Sequence, residues 1–226
     1  MLVYIILMLP ALALSLWAQA KVKGTYKKYS QVPAAATGAQ AARRMLDAEG
    51  LQGVAIEPIA GELTDHYDPR HRVLRLSQGV YGVNSISAMG IAAHEAGHAI
   101  QHARAYAPLK VRTTIVPAVN IGSKLGFGIL FLGLIMNNEP MAWAGVILFS
   151  LTTIFTLVTL PVEFDASRRA KEALVAVGLA DGGVRGGQDS EGVAAVLSAA
   201  AWTYVAAFVT SLLTLLYYVS MISGRR

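Results

Sequence analysis

His94 and His98 stand four residues apart in the run Ala92-Ala93-His94-Glu95-Ala96-Gly97-His98, the H-E-x-x-H pattern. On a helix, residues at this spacing project from one face about a turn apart, so both imidazoles can reach one metal ion. Glu95, beside the first histidine, then lies near a water that the metal activates and can act as its general base. This is the chemistry of a zinc hydrolase. The 226 residues include no cysteine, so there is no disulfide framework and no thiolate site, and zinc must be held by histidine and carboxylate.

A catalytic zinc takes three protein ligands and keeps one position open. His102 follows His98 by four residues, but it is eight from His94, about 12 Å along a straight helix, too far for both to bind one ion. It reads instead as a histidine satisfied by a hydrogen bond. The metzincin pattern fails as well, because Gln101 and Arg104 occupy the places of its glycine and third histidine. His66, His71 and the carboxylates remain. Among them Glu163 is the first charged residue after the twenty-two uncharged positions 141–162. A ligand and an interfacial or helix-N-terminal glutamate, stabilised by the macrodipole, explain it equally well.

The elements that must position these residues are unusual in composition. The chain is 54% hydrophobic and only 15% charged, and the charges are absent from whole stretches, which marks membrane spans. Residues 1–20 carry no charge and are long enough to span as a helix, with Pro10 as a candidate kink. Ala18-Gln19-Ala20 resembles a signal-peptide cleavage site, but no positive n-region precedes it; Lys21, Lys23, Lys27 and Lys28 follow instead, which favours an uncleaved anchor. Further spans are read at 115–136, 141–162 and 202–222. Lys124 interrupts the second, so that helix should turn its Lys124 side inward or stand partly above the bilayer. Gly122 and Gly126 form a small-xxx-small pair suited to close helix packing.

Between spans, 21–112 is the longest polar stretch. Thr37 with Gln40 has the form of a capping box opening a helix that Gly50 closes. Residues 54–59 and 72–76 read as two short strands, joined by a turn-rich segment in which His66, Tyr67 and Asp68-Pro69 form a plain turn. Such strands could lie beside the metal helix and pair with an extended peptide. Ser85 caps the helix 85–107 that carries His94 and His98. Residues 163–201 read as a helix from Glu163 ended by Gly178, a Gly-rich linker, and a second helical run. The linker's GGVRGG lacks the Lys-Ser/Thr ending of a phosphate loop.

Basic residues set the topology. The 21–112 loop carries twelve Lys/Arg, 137–140 none, and 163–201 four: Arg168, Arg169, Lys171 and Arg185. Both long loops are therefore expected in the cytoplasm, against the weaker vote of Arg225 and Arg226. The net charge of +5 comes without the basic patch interleaved with aromatics that nucleic acid would require. The expected fold is a mainly α membrane protein with about four transmembrane helices, a zincin-like HExxH helix and a small β-hairpin or sheet on the cytoplasmic side. Its parts are an anchor (1–20), a cytoplasmic metallopeptidase part (21–112), two transmembrane helices (113–162), a cytoplasmic segment (163–201) and a final transmembrane helix (202–226).

Three segments in order, DHYDPRHRVLRLS, AAHEAGHAIQH and LPVEFDASRRA, resemble the YugP-like family of membrane zinc metallopeptidases (neutral zinc metallopeptidase family 2). The last is also similar to the E-F-x-A-D segment of HtpX-type peptidases, where the glutamate is the third zinc ligand. The resemblance implies Zn2+ held by His94, His98 and Glu163, with Glu95 as general base, in a gluzincin-type endopeptidase. Its partners would be the lipid bilayer and a peptide or membrane-protein substrate. The place would be the plasma membrane, with the active site facing the cytoplasm. Ser167 departs from the pattern, standing where HtpX-type peptidases carry an aspartate; a serine hydroxyl can still accept an imidazole N–H. Two rivals stand beside this reading. One is an intramembrane site-2-type protease, whose later Asp-Gly motif has a counterpart in Asp181-Gly182. The other is a non-enzymatic adaptor with a closed, structural zinc site.

Overall fold

The computed structural model describes residues 2–180 and 188–224. The glycine-rich linker with Asp181-Gly182 and Arg185, and the basic pair Arg225 and Arg226, lie outside the described residues. The chain is mainly helical and divides into two compact units. Unit 1 comprises Met1–Gln19, Ala107–Pro161 and Trp202–Arg226; unit 2 comprises Ala20–Tyr106 and Val162–Ala201.

Among the described residues four helices are long and apolar enough to cross a membrane: α1 (Leu2–Ser30), α5 (Ala107–Ile135), α6 (Glu139–Ala176) and α7 (Gln188–Ser223). Pro10, Pro117 and Pro161 lie inside helices that run on through them, as membrane helices tolerate. Helix association in lipid depends on close packing and side-chain hydrogen bonds rather than on expelling water. Unit 1 shows both. Gly122, Gly126 and Gly133 of α5 are buried against α6; a Cβ added at Gly126 would lie 2.8 Å from the backbone nitrogen of Phe149. Thr153 donates to the carbonyl of Ser211 at 3.3 Å, and Thr156 bonds the Ser211 hydroxyl at 2.9 Å, joining α6 to α7. Lys124 is exposed, so an inward-facing lysine is corrected: the buried side of α5 is taken by glycines, which leave no room for a long chain.

Unit 2 carries α2 (Gly38–Ala48), a three-stranded sheet, the short α3 (Gln78–Tyr81) and α4 (Ile86–Ala103), with the remainders of α1, α6 and α7. Local signals set these boundaries. Thr37 and Gln40 form a reciprocal capping box at the start of α2, and Gly50, at φ +74°, closes its C-terminus. The Ser85 hydroxyl accepts the Ala88 N–H at the head of α4. That helix ends earlier than expected, because Ala105 takes a left-handed φ of 51° and the Tyr106 N–H turns back to the Gln101 carbonyl.

The sheet comprises β1 (Ala55–Ile59), β2 (His66–Asp68) and β3 (Val73–Ser77) in the order β1-β3-β2. β1 runs parallel to β3, with Ile56 opposite Leu74; β2 is antiparallel to it, with Tyr67 opposite Leu74. His66, Tyr67 and Asp68 are thus strand rather than plain turn. The Asp65 carboxylate fastens the start of β2 by accepting the Ser77 N–H at 2.8 Å and the Ser77 hydroxyl. Leu74, Leu76, Met45, Leu46, Met89, Ala92, Ala93 and Ala96 form one buried core with Ala170 and Leu174 of α6.

Glu163 does not begin a helix. Helix α6 runs unbroken from Glu139 to Ala176, so Glu163 is interior and receives nothing from a helix N-terminus. The change from apolar to charged composition at residue 163 leaves the backbone ladder uninterrupted.

Candidate metal centre

His94 and His98 lie on one face of α4, their rings edge-on with centroids 4.8 Å apart. Between them Gly97 sits against α6: a Cβ there would be 2.5 Å from the carbonyl oxygen of Ala166. Only a residue without a side chain lets the two backbones approach so closely. The approach delivers the neighbours of Ala166, Glu163 and Ser167, to the two imidazoles. Glu163 Oε2 is 3.1 Å from His94 Nε2 and 3.6 Å from His98 Nε2, and its side chain is only 2% exposed.

One donor atom from each of His94, His98 and Glu163 lies within 4.8 Å of the others, so the three could hold a metal ion. Tetrahedral zinc with bonds near 2.0–2.1 Å separates neighbouring donor atoms by about 3.3 Å, and the two imidazole–carboxylate distances bracket that value. The far nitrogens fit the same purpose. His98 Nδ1 lies 3.0 Å from Gln101 Oε1 and His94 Nδ1 lies 3.2 Å from the Ser167 hydroxyl. Each ring is therefore tied back through Nδ1, with Nε2 turned to the carboxylate, as ligating histidines are normally held. The donor set fits zinc.

Glu95 is held from the sheet, where one of its oxygens accepts the Tyr67 N–H at 3.1 Å. Burial pushes its carboxyl above the ordinary range, against the pull of His98 and His94. Burial also works against charge on His98, but its hydrogen bond to Glu163 and the charges of Glu95 and Glu163 prevail, and its pKa stands above the ordinary value.

The other sequence candidates lie elsewhere. His102 is exposed and bonds the Tyr67 hydroxyl through Nδ1 at 2.9 Å, the satisfied histidine expected. His66 Nδ1 meets the Thr64 carbonyl and His71 Nδ1 meets Asp68. Beyond these candidates, Arg168, one of the basic residues of 163–201, is engaged by Asp165 and Glu172. A cavity of about 360 Å³ opens beside Tyr67, Arg72, Ala99 and His102. Sequence reasoning missed Gln101, whose signal was its place three residues beyond His98 and so on the same face.

The chain matches the protein family described as "Putative neutral zinc metallopeptidase" over residues 4–223. It is 49% identical over 226 residues to "Putative membrane protease YugP" of Bacillus subtilis (strain 168), covering 98% of both chains. No solved structure matches it.

Proposed function

The chain belongs to the neutral zinc metallopeptidase family, and from that premise we propose that it is a gluzincin-type endopeptidase working at the cytoplasmic face of the plasma membrane. His94, His98 and Glu163 are the zinc ligands in this reading, and Glu95 is the general base. The observation that carries it is the convergence of the three donor atoms, with both imidazoles held from behind.

Bound zinc supplies Lewis acidity toward the attacking water and the scissile carbonyl. Glu95 takes the water's proton as its oxygen attacks the carbonyl carbon, then gives a proton to the leaving amine as the C–N bond breaks. Its raised proton affinity suits both steps, since a weakly basic carboxylate would release the proton before the amine could take it. The Tyr67 N–H holds one Glu95 oxygen, leaving the other for the water. That contact also brings the outer edge of β2 alongside the site, where an extended peptide could add as a strand. The orientation rests on charge placement, since the loops bearing His94 and Glu163 are the Lys/Arg-rich ones.

A site-2-type arrangement is disfavoured because α4 is eighteen residues long, lies in unit 2, and is not one of the four candidate spans. A structural zinc site would need a fourth protein donor, and only three gather among the described residues. Protein purified in detergent should hydrolyse an unfolded polypeptide, lose that activity to a chelator without unfolding, and regain it with zinc. Glu163→Ala should lower zinc content well below one per chain; full zinc occupancy in that variant would remove Glu163 from the ligand set.

A further inference from the structure

Gln101 is a fully buried polar side chain, 0% exposed, on the helix that carries both histidines. Its Nε2 lies 2.7 Å from the Val162 carbonyl and 2.9 Å from Asp165 Oδ2. Both partners only accept hydrogen bonds, so both amide hydrogens are committed to them. That fixes the flip of the amide: Oε1 must face His98 Nδ1, at 3.0 Å. An amide oxygen can only accept, so Nδ1 of His98 carries a proton. Nε2 is the nitrogen left to face Glu163, 3.6 Å from its Oε2, as donor to the carboxylate without an ion and as the ligand atom with one. Asp165 is itself held in place by Arg169, at 2.6 Å, and by Arg168.

We propose that Gln101 and Asp165 form a positioning pair for His98, in which Asp165 locks the Gln101 amide and the amide locks the tautomer and ring plane of the imidazole. Asp165 lies two residues from Glu163 on α6, too far round the helix to meet an imidazole directly; the glutamine spans that gap. Residues 163–169 thus supply the carboxylate, the hydroxyl behind His94 and, through Gln101, the anion behind His98. The two imidazoles are supported unequally. His94 leans on a neutral serine hydroxyl, His98 on an amide whose other end is bonded to a carboxylate, and hydrogen bonds linked in such a chain polarise and strengthen one another. His98 is therefore the better-oriented donor, and its support is the one that matters more for holding the ion.

The inference rests on His98 being a ligand, and the test separates the two claims. Zinc affinity is measured by competition against a chelator of known strength, and the visible spectrum of the cobalt-substituted protein reports donor geometry. Gln101→Leu fills the same space without hydrogen bonds and should weaken zinc binding about 10- to 100-fold, the usual effect of losing a ligand's supporting partner, and alter the cobalt bands. Asp165→Asn, which leaves Gln101 in place, should shift both readouts in the same direction by less, and stands in if Gln101→Leu does not fold. Ser87→Ala removes an equally buried hydrogen bond on α4, to the Tyr26 carbonyl, and should leave both unchanged while lowering thermal stability. Wild-type affinity and an unaltered cobalt spectrum in Gln101→Leu and Asp165→Asn, with zinc lost in His98→Ala, would overturn the positioning role alone. Wild-type zinc affinity in His98→Ala would overturn both it and the ligand assignment.

Discussion

Gly97 lets the backbones of α4 and α6 approach beside the metal centre, and replacing it by alanine tests whether that approach builds the site. The new Cβ would stand 2.5 Å from the Ala166 carbonyl oxygen and 3.3 Å from its Cα, where ordinary contact begins at 3.4 Å. Neither atom belongs to a flexible side chain, so α4 and α6 must part, by as much as 0.9 Å, the difference between 3.4 and 2.5 Å. Forcing a methyl into a packed interior costs about 1–3 kcal/mol. The same movement would carry Glu163 away from imidazole nitrogens now 3.1 and 3.6 Å from its Oε2, out of the range a tetrahedral ion can bridge. Losing the placement of a ligand should weaken zinc binding about 10- to 100-fold. Zinc affinity by chelator competition and thermal unfolding of the metal-free protein read the two effects separately. Gly24→Ala, on α1 with nothing within 4 Å of its added Cβ, is the control and should leave zinc binding alone while raising stability slightly. Wild-type zinc affinity and stability in Gly97→Ala would refute the reasoning.

Two further outcomes follow from the same structure. Thr37→Ala removes the capping box of α2 and should lower unfolding stability by about 1 kcal/mol with zinc affinity unchanged, since α2 supplies no group to the site. The pKa of metal-free His98 lies above its ordinary 6.5, so its protonated form persists to higher pH than in a free imidazole and competes with the ion. Zinc affinity should therefore be complete well above that range, begin to fall before pH reaches 6.5, and keep falling on further acidification; a pH titration of affinity flat down to pH 6 would contradict this.

What was legible in the sequence was local. Thr37 with Gln40, Gly50, Ser85 and Gly178 each act on backbone groups within a few residues, and each marks a helix end much as read. The spacing of His94 and His98 is likewise a property of one helix. The strand β2 escaped notice because three residues carry no periodicity, and its existence depends on β3 and on Asp65 gripping Ser77 across the sheet. The helix through Glu163 was broken in the reading because charge patterning reports where the surroundings change, whereas α6 continues as long as its backbone bonds do. Gln101 was passed over for a related reason: its meaning lies in Val162 and Asp165, more than sixty residues away in sequence. Asp165 reaches His98 only through that interposed amide, a link no spacing within one helix reports.

The most direct test of the central claim separates metal binding from proton transfer. Glu95→Gln keeps the size of the side chain and leaves His94, His98 and Glu163 untouched, but removes the base. Purified in detergent beside the wild type, the variant should contain close to one zinc per chain and show no hydrolysis of an unfolded polypeptide. Full zinc content with cleavage at the wild-type rate would contradict the account.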